Sequence, residues 1–212
     1  MISASLLNAD ASRFGKTCRK LEACNVDMLH FDVMDGVFVD NISFGVPILS
    51  ALDRCSDMFM DVHLMIVNPY KYITVFAENG ADLITFHYES KCDIIQTINL
   101  IHSLGKKAGI SVKPDTPVEC IFQYVDKVEQ VLIMTVEPGF GGQGFIPETV
   151  PKIRKLREYI TANSLNTDIE VDGGINNETA AIVSEAGANV LVSGSYLFKS
   201  DDMMEAVESL RL

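Results

Sequence analysis

Three observations predict that this chain is an α/β protein that folds as one (β/α)8 TIM barrel. Eight short apolar runs alternate with eight helix-like segments, and this alternation is typical of right-handed β-α-β crossovers in a parallel sheet. The 212 residues accommodate eight such units at the short end of the size range of this fold. No linker or low-complexity run interrupts residues 1–212, so we expect a single domain.

The joins between helices and strands repeat one sequence pattern. Residues 22–30, 78–85 and 185–192 each read as a helix end, a turn of small residues, an Asp or Asn, and an apolar strand. Gly80 and Gly187 lie in two of these turns, and glycine tolerates the left-handed geometry that ends a helix. The alternation by itself also fits a doubly wound open sheet, which remains the alternative fold.

The apolar runs predict strands, and the segments between them predict helices. The strands are expected at residues 1–5, 28–33, 58–65, 83–87, 108–112, 130–136, 168–171 and 190–194. The helices are expected at residues 10–24, 44–54, 69–79, 93–104, 117–124, 147–162, 177–186 and 201–210. Several strands, such as residues 131–134, are apolar on both faces, as expected when helices cover one side and a barrel interior the other.

Composition and charge exclude several classes of function. Lys and Arg number 17 against 29 Asp and Glu, so the formal charge is -12, the opposite of the basic surface that nucleic acid requires. The longest stretch without a formal charge is residues 186–198, shorter than the roughly 18 apolar residues of a membrane span. Residues 1–3 show no basic region before an apolar core. We therefore expect no nucleic acid, no membrane and a cytoplasmic location.

The cysteine pattern gives no sign of a disulfide framework or a structural zinc site. Five cysteines are scattered along the chain without a Cys-x-x-Cys pair, and an odd, scattered set is unlike either kind of site. We interpret all five as buried free thiols.

Polar residues at the predicted strand ends indicate a metal site. His30 and Asp32 share one face of the second strand, because side chains alternate on a strand. His63 lies near the end of the third strand, and Asp172 lies at the end of the seventh. Since the strands of such a barrel end at one mouth, these four can converge as a His2Asp2 site for one divalent cation, with zinc, iron(II), manganese or cobalt favoured over magnesium. His87 also lies near a strand end and stays open as a ligand.

Three glycine-rich turns follow the sixth, seventh and eighth strands, at residues 138–143, 172–174 and 193–195. Glycine lets backbone N–H groups approach an anion closely, and the loops after strands seven and eight are the usual phosphate site of this architecture. The turns therefore predict a phosphate group on the ligand. Backbone dipoles can hold such an anion even in an acidic protein.

Three methionines, Met34, Met65 and Met134, are expected to project towards the mouth. They fit simple filling of the core, to which methionine is well suited. They equally fit a shielding wall that keeps water away from a reacting carbon. His102 lies within a predicted helix, and we expect it at the surface.

Five segments resemble the ribulose-phosphate 3-epimerase family across nearly the whole chain. They are residues 5–10 (SLLNAD), 30–36 (HFDVMDG), 61–65 (DVHLM), 134–143 (MTVEPGFGGQ) and 170–174 (EVDGG). The chain departs from the family's pattern at Ala4 and Asp40, where proline is common. Neither position coincides with a residue implied as a ligand.

The resemblance implies a barrel of the ribulose-phosphate-binding type that interconverts D-ribulose 5-phosphate and D-xylulose 5-phosphate with one divalent metal. It implies His30, Asp32, His63 and Asp172 as metal ligands, and Asp32 with Asp172 as the acid/base pair. The implied substrate contacts are Ser5, His63, Gly139, Phe140, Gly141, Gly142, Asp172, Gly173, Gly174, Gly194 and Ser195. The partner is then a small sugar phosphate, and the outer helical faces leave room for a homo-oligomer.

Three other functions stay open at this point. An epimerase of a six-carbon ketose phosphate such as D-allulose 6-phosphate needs the same four ligands. A sugar-phosphate lyase uses a similar barrel, but such enzymes carry an Asp-x-Lys-x-x-Asp run that this sequence lacks. A non-catalytic phosphate-binding barrel does not need two carboxylates that face one ligand.

Overall fold

A computed structural model describes residues 1–211 and has eight parallel strands closed into a barrel, which confirms the predicted fold. Each strand pairs with the next along the chain, and the first pairs with the eighth. The strands are β1 (Ile2–Ser5), β2 (Met28–Met34), β3 (Phe59–Met65), β4 (Leu83–His87), β5 (Lys107–Val112), β6 (Gln130–Met134), β7 (Asp168–Asp172) and β8 (Val190–Ser193).

Helices follow the strands and cover the outside of the barrel. The α-helices are α1 (Phe14–Ala23), α2 (Val46–Asp53), α3 (Ile73–Ala77), α4 (Ile94–Ser103), α5 (Val150–Ala162), α6 (Asn177–Glu185), α7 (Ser195–Lys199) and α8 (Met203–Glu208). Shorter 3₁₀ turns lie at Leu6–Asn8, Ala11–Arg13, Pro69–Tyr72 and Pro147–Thr149. None of these helices, within residues 1–211, is long and apolar enough to cross a bilayer.

The structure differs from the predicted elements in three places. The segment between β5 and β6 is a run of 3₁₀ turns, Val118–Lys127, rather than an α-helix. Helix α7 was not predicted, because Gly194 and Ser195 read as a loop. Strand β6 ends at Met134 rather than at 136, since the carbonyl of Thr135 accepts the N–H of Ile146 from the following loop at 2.9 Å.

The strands separate an apolar layer from a largely polar barrel interior. Outward side chains such as Phe31, Leu64 and Ile133 pack with the helices in one buried core. The alternate residues point inward, and several of them are polar and almost fully buried: Ser3, His30, Asp61, Thr85, Gln130 and Glu170. The interpretation of strands as apolar on both faces therefore holds for residues 131–134 but not for the layer below the mouth.

The prediction that all five cysteines are buried is wrong. Cys18 and Cys24 are buried, but Cys92 and Cys120 are half-buried and Cys55 is exposed. Cys55 lies just beyond the end of α2, where the chain turns away from the core. All five are free thiols, as expected.

Candidate active site

A pocket opens at the mouth, the end of the barrel where the strands have their carboxyl termini. Asp32 and Asp172 both line it, in agreement with the expected position of the chemistry. The predicted shielding and substrate-contact residues in its wall are Ser5, Met34, Met65, Met134, Gly139, Phe140, Gly141, Gly142, Gly173, Gly174, Gly194 and Ser195. His63 was also expected to contact substrate, but it is fully buried and lies outside the pocket wall.

The four predicted metal ligands lie together. His30, Asp32, His63 and Asp172 each offer one ligand atom, and these atoms lie within 4.8 Å of one another. Asp32 Oδ1 is 3.2 Å from both His30 Nε2 and His63 Nδ1. His30 Nε2 is 3.8 Å from Asp172 Oδ2. The register explains the convergence, because Asp32 of β2 pairs with His63 of β3.

The environment of His30 fits a bound cation. Its Nδ1 lies 2.6 Å from Asp61 Oδ2, while its Nε2 is buried and has no hydrogen-bond partner among the described residues. Burial acts to lower the pKa of His30, but the carboxylates of Asp61 and Asp32 raise this pKa well above its usual range. The site thus stabilises positive charge at the ring. Two imidazole and two carboxylate donors suit a divalent transition metal, so these residues could hold one.

A second group of possible ligands, His30, Asp61 and Glu170, lies deeper in the barrel. The 2.6 Å between His30 Nδ1 and Asp61 Oδ2 is a hydrogen-bond distance. Two atoms bound to one zinc ion, each about 2 Å from it in tetrahedral geometry, lie roughly 3.3 Å apart. This deeper group is therefore a hydrogen-bonded layer that orients His30.

Asp32 is held as a carboxylate by its neighbours. Its Oδ2 accepts the hydroxyl of Ser5 at 2.9 Å, and its Oδ1 faces His30 and His63. Burial alone would raise the pKa of Asp32, but the positive charge of the neighbouring His30 lowers it well below the usual range. Asp32 therefore carries a negative charge at neutral pH.

Asp172 has the opposite environment. Its side chain is 17% exposed and accepts no hydrogen bond from another described residue. Burial and the negative charge of Asp32 raise the pKa of Asp172 to about 6, although His30 and His63 oppose this shift. The two carboxylates of the pocket therefore favour different protonation states.

Two buried carboxyl groups below the metal ligands escaped the sequence analysis. Asp61 Oδ2 accepts the hydroxyl of Ser3 at 3.1 Å, and Glu170 Oε2 accepts the amide of Gln130 at 2.6 Å. Burial and the charge of Asp61 raise the pKa of Glu170 well above its usual range. The signal was present in the alternation, because Asp61 and Glu170 precede His63 and Asp172 by two residues and share their faces.

His87, which the sequence left open as a ligand, lies next to His63 but outside the group of four possible ligands. Its Nε2 is 2.9 Å from Nε2 of His63, so it contacts a ligand of the cluster without joining it. Burial lowers the pKa of His87 to about 4. His102 lies at the surface as predicted, 3.0 Å from Glu129.

The glycine loops give the pocket a wall of backbone. Gly174 has a φ of +67°, and a Cβ there would lie 2.5 Å from the backbone nitrogen of Phe145. A side chain at this position would therefore force the loops apart. Asn8 lines the pocket, and a Cβ on Gly141 would lie 2.6 Å from its Oδ1. Asn8 was not singled out from the sequence, because nothing local shows that it touches a loop from the far side of the barrel.

Residues 1–198 match a family model described as the ribulose-phosphate 3 epimerase family. The chain belongs to this family. Ribulose-phosphate 3-epimerase from Bacillus subtilis is 43% identical over 211 residues, which cover 99% of this chain and 97% of that protein. Chloroplastic ribulose-5-phosphate-3-epimerase from Arabidopsis thaliana is 43% identical over 213 residues, which cover 100% of this chain and 76% of that protein. The family predicted from the sequence is thus confirmed.

Solved structures share the barrel at low sequence identity. 3-Keto-L-gulonate-6-phosphate decarboxylase from Vibrio cholerae superposes with a TM-score of 0.75 at 16% identity, covering 100% of this chain and 95% of that chain. A 3-hexulose-6-phosphate synthase gives 0.73 at 16% identity, covering 99% and 97%. At this identity the likeness supports the fold alone.

Proposed function

We propose that this protein epimerises D-ribulose 5-phosphate and D-xylulose 5-phosphate at carbon 3, a reaction of the pentose phosphate pathway. The observation that carries the proposal is the pair Asp32 and Asp172, which line one pocket from β2 and β7 beside a cluster that could hold a metal ion. Membership of the epimerase family supports the same reaction.

Epimerisation beside a ketone needs a proton taken from one face of the carbon and another given to the opposite face. Asp32, as the carboxylate, accepts a proton, and Asp172, in its protonated form, donates one. In the reverse direction the two residues exchange roles. Because they face each other across one cluster, we expect their titrations to be coupled.

His30, Asp32, His63 and Asp172 would hold one divalent cation, with zinc, iron(II), manganese or cobalt as the candidates. When bound, the cation supplies positive charge against the negative charge that develops on the substrate oxygens. His30 and His63 are then neutral donors with fixed orientation and do not act as bases. The hydroxyl of Ser5 keeps Asp32 in place through its 2.9 Å hydrogen bond.

The remaining pocket residues bind the substrate and exclude water. The backbone of Gly173, Gly174, Gly194 and Ser195 faces the pocket and offers N–H groups for the phosphate. Met34 and Met65 pack with Val39 over one side of the site. Met134 packs with its own neighbours on the other side. We assign these three methionines to a water-excluding wall around carbon 3.

Incubation with ribulose 5-phosphate in heavy water, followed by NMR at carbon 3, tests the proposal. We expect deuterium at carbon 3 and formation of xylulose 5-phosphate. Loss of a carbon fragment would instead identify a lyase. Turnover of allulose 6-phosphate with no turnover of the pentose would identify the six-carbon epimerase, and binding without exchange would identify a non-catalytic barrel.

A further inference from the structure

The proposed reaction leaves two polar residues on the β4 side of the barrel without a role. His87 is fully buried at the end of β4, and the Glu89 side chain, two residues later, is 21% exposed. His87 Nε2 lies 2.9 Å from His63 Nε2, and His87 Nδ1 lies 3.3 Å from Glu89 Oε2. These contacts form a continuous His63–His87–Glu89 chain from the metal cluster towards the surface.

Glu89 sets the direction of the hydrogen bonds in this chain. Its Oε1 accepts the backbone N–H of Lys113 at 2.9 Å and the hydroxyl of Thr116. Burial would raise the pKa of Glu89, but its hydrogen bonds with His87, Thr116 and Lys113 lower it to about 2. An ionised carboxylate only accepts hydrogen bonds, so His87 donates from Nδ1. Its Nε2 then has no proton and accepts the Nε2–H of His63.

One tautomer of His63 follows from that direction. With its proton on Nε2, the ring has its lone pair on Nδ1, the atom that lies 3.2 Å from Asp32 Oδ1. Two atoms with lone pairs at this distance repel each other unless an electrophile binds both. The orientation of His63 is therefore matched to a cation between Nδ1 and the carboxylate.

We propose that His87 and Glu89 are positioning residues, which hold His63 in the tautomer and ring orientation that bind the divalent cation. This inference rests on the metal site of the proposed function. Neither residue touches the substrate pocket. Both act through His63 alone, as partners of the second imidazole nitrogen of metal-binding histidines commonly do.

His30, the other histidine of the cluster, is also linked to a carboxylate, but without an imidazole between them. Asp61 Oδ2 contacts His30 Nδ1 directly at 2.6 Å. On the His63 side an imidazole stands between the ligand and its carboxylate. The ring of Phe38 covers this imidazole, with the centroids of Phe38 and His87 4.8 Å apart. In both histidine ligands, the nitrogen that would face away from the cation is thus linked to a carboxylate, directly in His30 and through His87 in His63.

Zinc affinity of the full-length protein tests the inference. Each variant is stripped with a chelator and titrated with buffered Zn²⁺ alone. His87→Phe keeps a ring of similar size but removes the acceptor for His63 Nε2–H, and we expect it to weaken Zn²⁺ binding roughly 10- to 100-fold. His87→Gln restores an acceptor, so it should recover most of the affinity. His102→Gln removes a histidine of the surface pair with Glu129 and should change nothing.

Imidazole nitrogen NMR of the zinc-free protein provides a readout that mere packing would not move. In the wild type we expect the proton of the His63 ring on Nε2. In His87→Phe we expect a mixture of the Nε2–H and Nδ1–H tautomers. If His87→Phe fails to fold, Glu89→Gln decides. An amide group has one acceptor oxygen, so this variant cannot accept from His87 on one side and from Lys113 and Thr116 on the other.

Wild-type Zn²⁺ affinity and an unchanged His63 tautomer in a folded His87→Phe protein would overturn the inference and leave the epimerase proposal intact. No Zn²⁺ binding by the wild type would overturn the metal site itself. Weaker binding in His87→Phe with recovery in His87→Gln supports the positioning role.

Discussion

The two sides of the pocket place their aspartate carboxyl groups in different surroundings. On the β2–β3 side, Asp32 is 4% exposed in its side chain and is surrounded by Ser5, His30 and His63. On the β7 side, Asp172 is 17% exposed and has no comparable hydrogen-bond partner. The neighbours lower the pKa of the first carboxyl group, while burial and the charge of the first raise the pKa of the second to about 6.

This difference gives two identical side chains opposite preferences for the charged and the neutral form. Hydrogen-bond donors and cationic partners favour the charged form, and a desolvated site beside a like charge favours the neutral form. The asymmetry comes from the strands. Adjacent β2 and β3 bring imidazoles to Asp32, whereas the partner of Asp172 on β6 is Met134.

Removal of the proposed cation, which both sides of the pocket would hold, should have the largest effect. A sample stripped with a strong chelator is expected to lose epimerisation, because the charge that stabilises the transition state is gone, a contribution of several kcal/mol. Steady-state rates before stripping, after it and after addition of a divalent ion measure this. Full activity in a sample verified as metal-free would refute the site.

Loss of either carboxyl group should come next. Asp32→Asn and Asp172→Asn are each expected to reduce turnover about 10²- to 10⁴-fold, since each removes one proton-transfer group. The control is Asp168→Asn, which changes the opposite end of the same strand as Asp172 and should keep its rate. A folded Asn variant that retains more than about a tenth of the wild-type rate would contradict the acid/base assignment.

Ser5→Ala should have a smaller effect confined to the Asp32 side. It removes one hydrogen bond to a charged carboxylate, an interaction worth roughly 1.5–3 kcal/mol, and we expect a loss of roughly 10- to 100-fold in kcat/KM. Ser103→Ala, at the exposed end of α4, serves as the control. An equal loss in both variants would point to stability rather than to the site.

The smallest expected effect is the pH dependence of cation uptake by the stripped protein. Below about pH 6 Asp172 holds a proton that the cation must displace, and His30 holds another because its pKa is raised. Affinity should therefore rise steeply with pH up to about 6 and less steeply above it. Titrations at several pH values measure the slope. The break near pH 6 should vanish in Asp172→Asn, and a break retained in that variant would assign the proton to another group.

The barrel was predictable because its signal repeats. Eight alternations of strand and helix carry far more information than any one of them, so the ends of the strands were located to within about two residues. The helix between β5 and β6 and the short α7 were mispredicted, because local sequence alone does not distinguish 3₁₀ turns or a short helix after Gly194 from their alternatives.

The candidate site was predictable where alternation and strand ends carry the signal. Asp172 ends β7, Asp32 and His63 lie two residues before the ends of β2 and β3, and His30 lies within β2. The structure brings these four residues together. Alternation places Asp61 and Glu170 on the same faces as two of these ligands, but their contacts, like those of His87, depend on distances across the barrel. Nothing in the sequence near His87 shows that its ring lies 2.9 Å from His63.

Isotope exchange by the two Asn variants tests most directly the claim that each carboxyl group serves one face of carbon 3. Each variant is incubated in heavy water with ribulose 5-phosphate and, separately, with xylulose 5-phosphate, and exchange is followed at carbon 3. We predict that Asp32→Asn and Asp172→Asn each exchange the proton of one sugar only, and that the two variants differ in which sugar this is. Exchange of the same sugar by both variants would contradict the account.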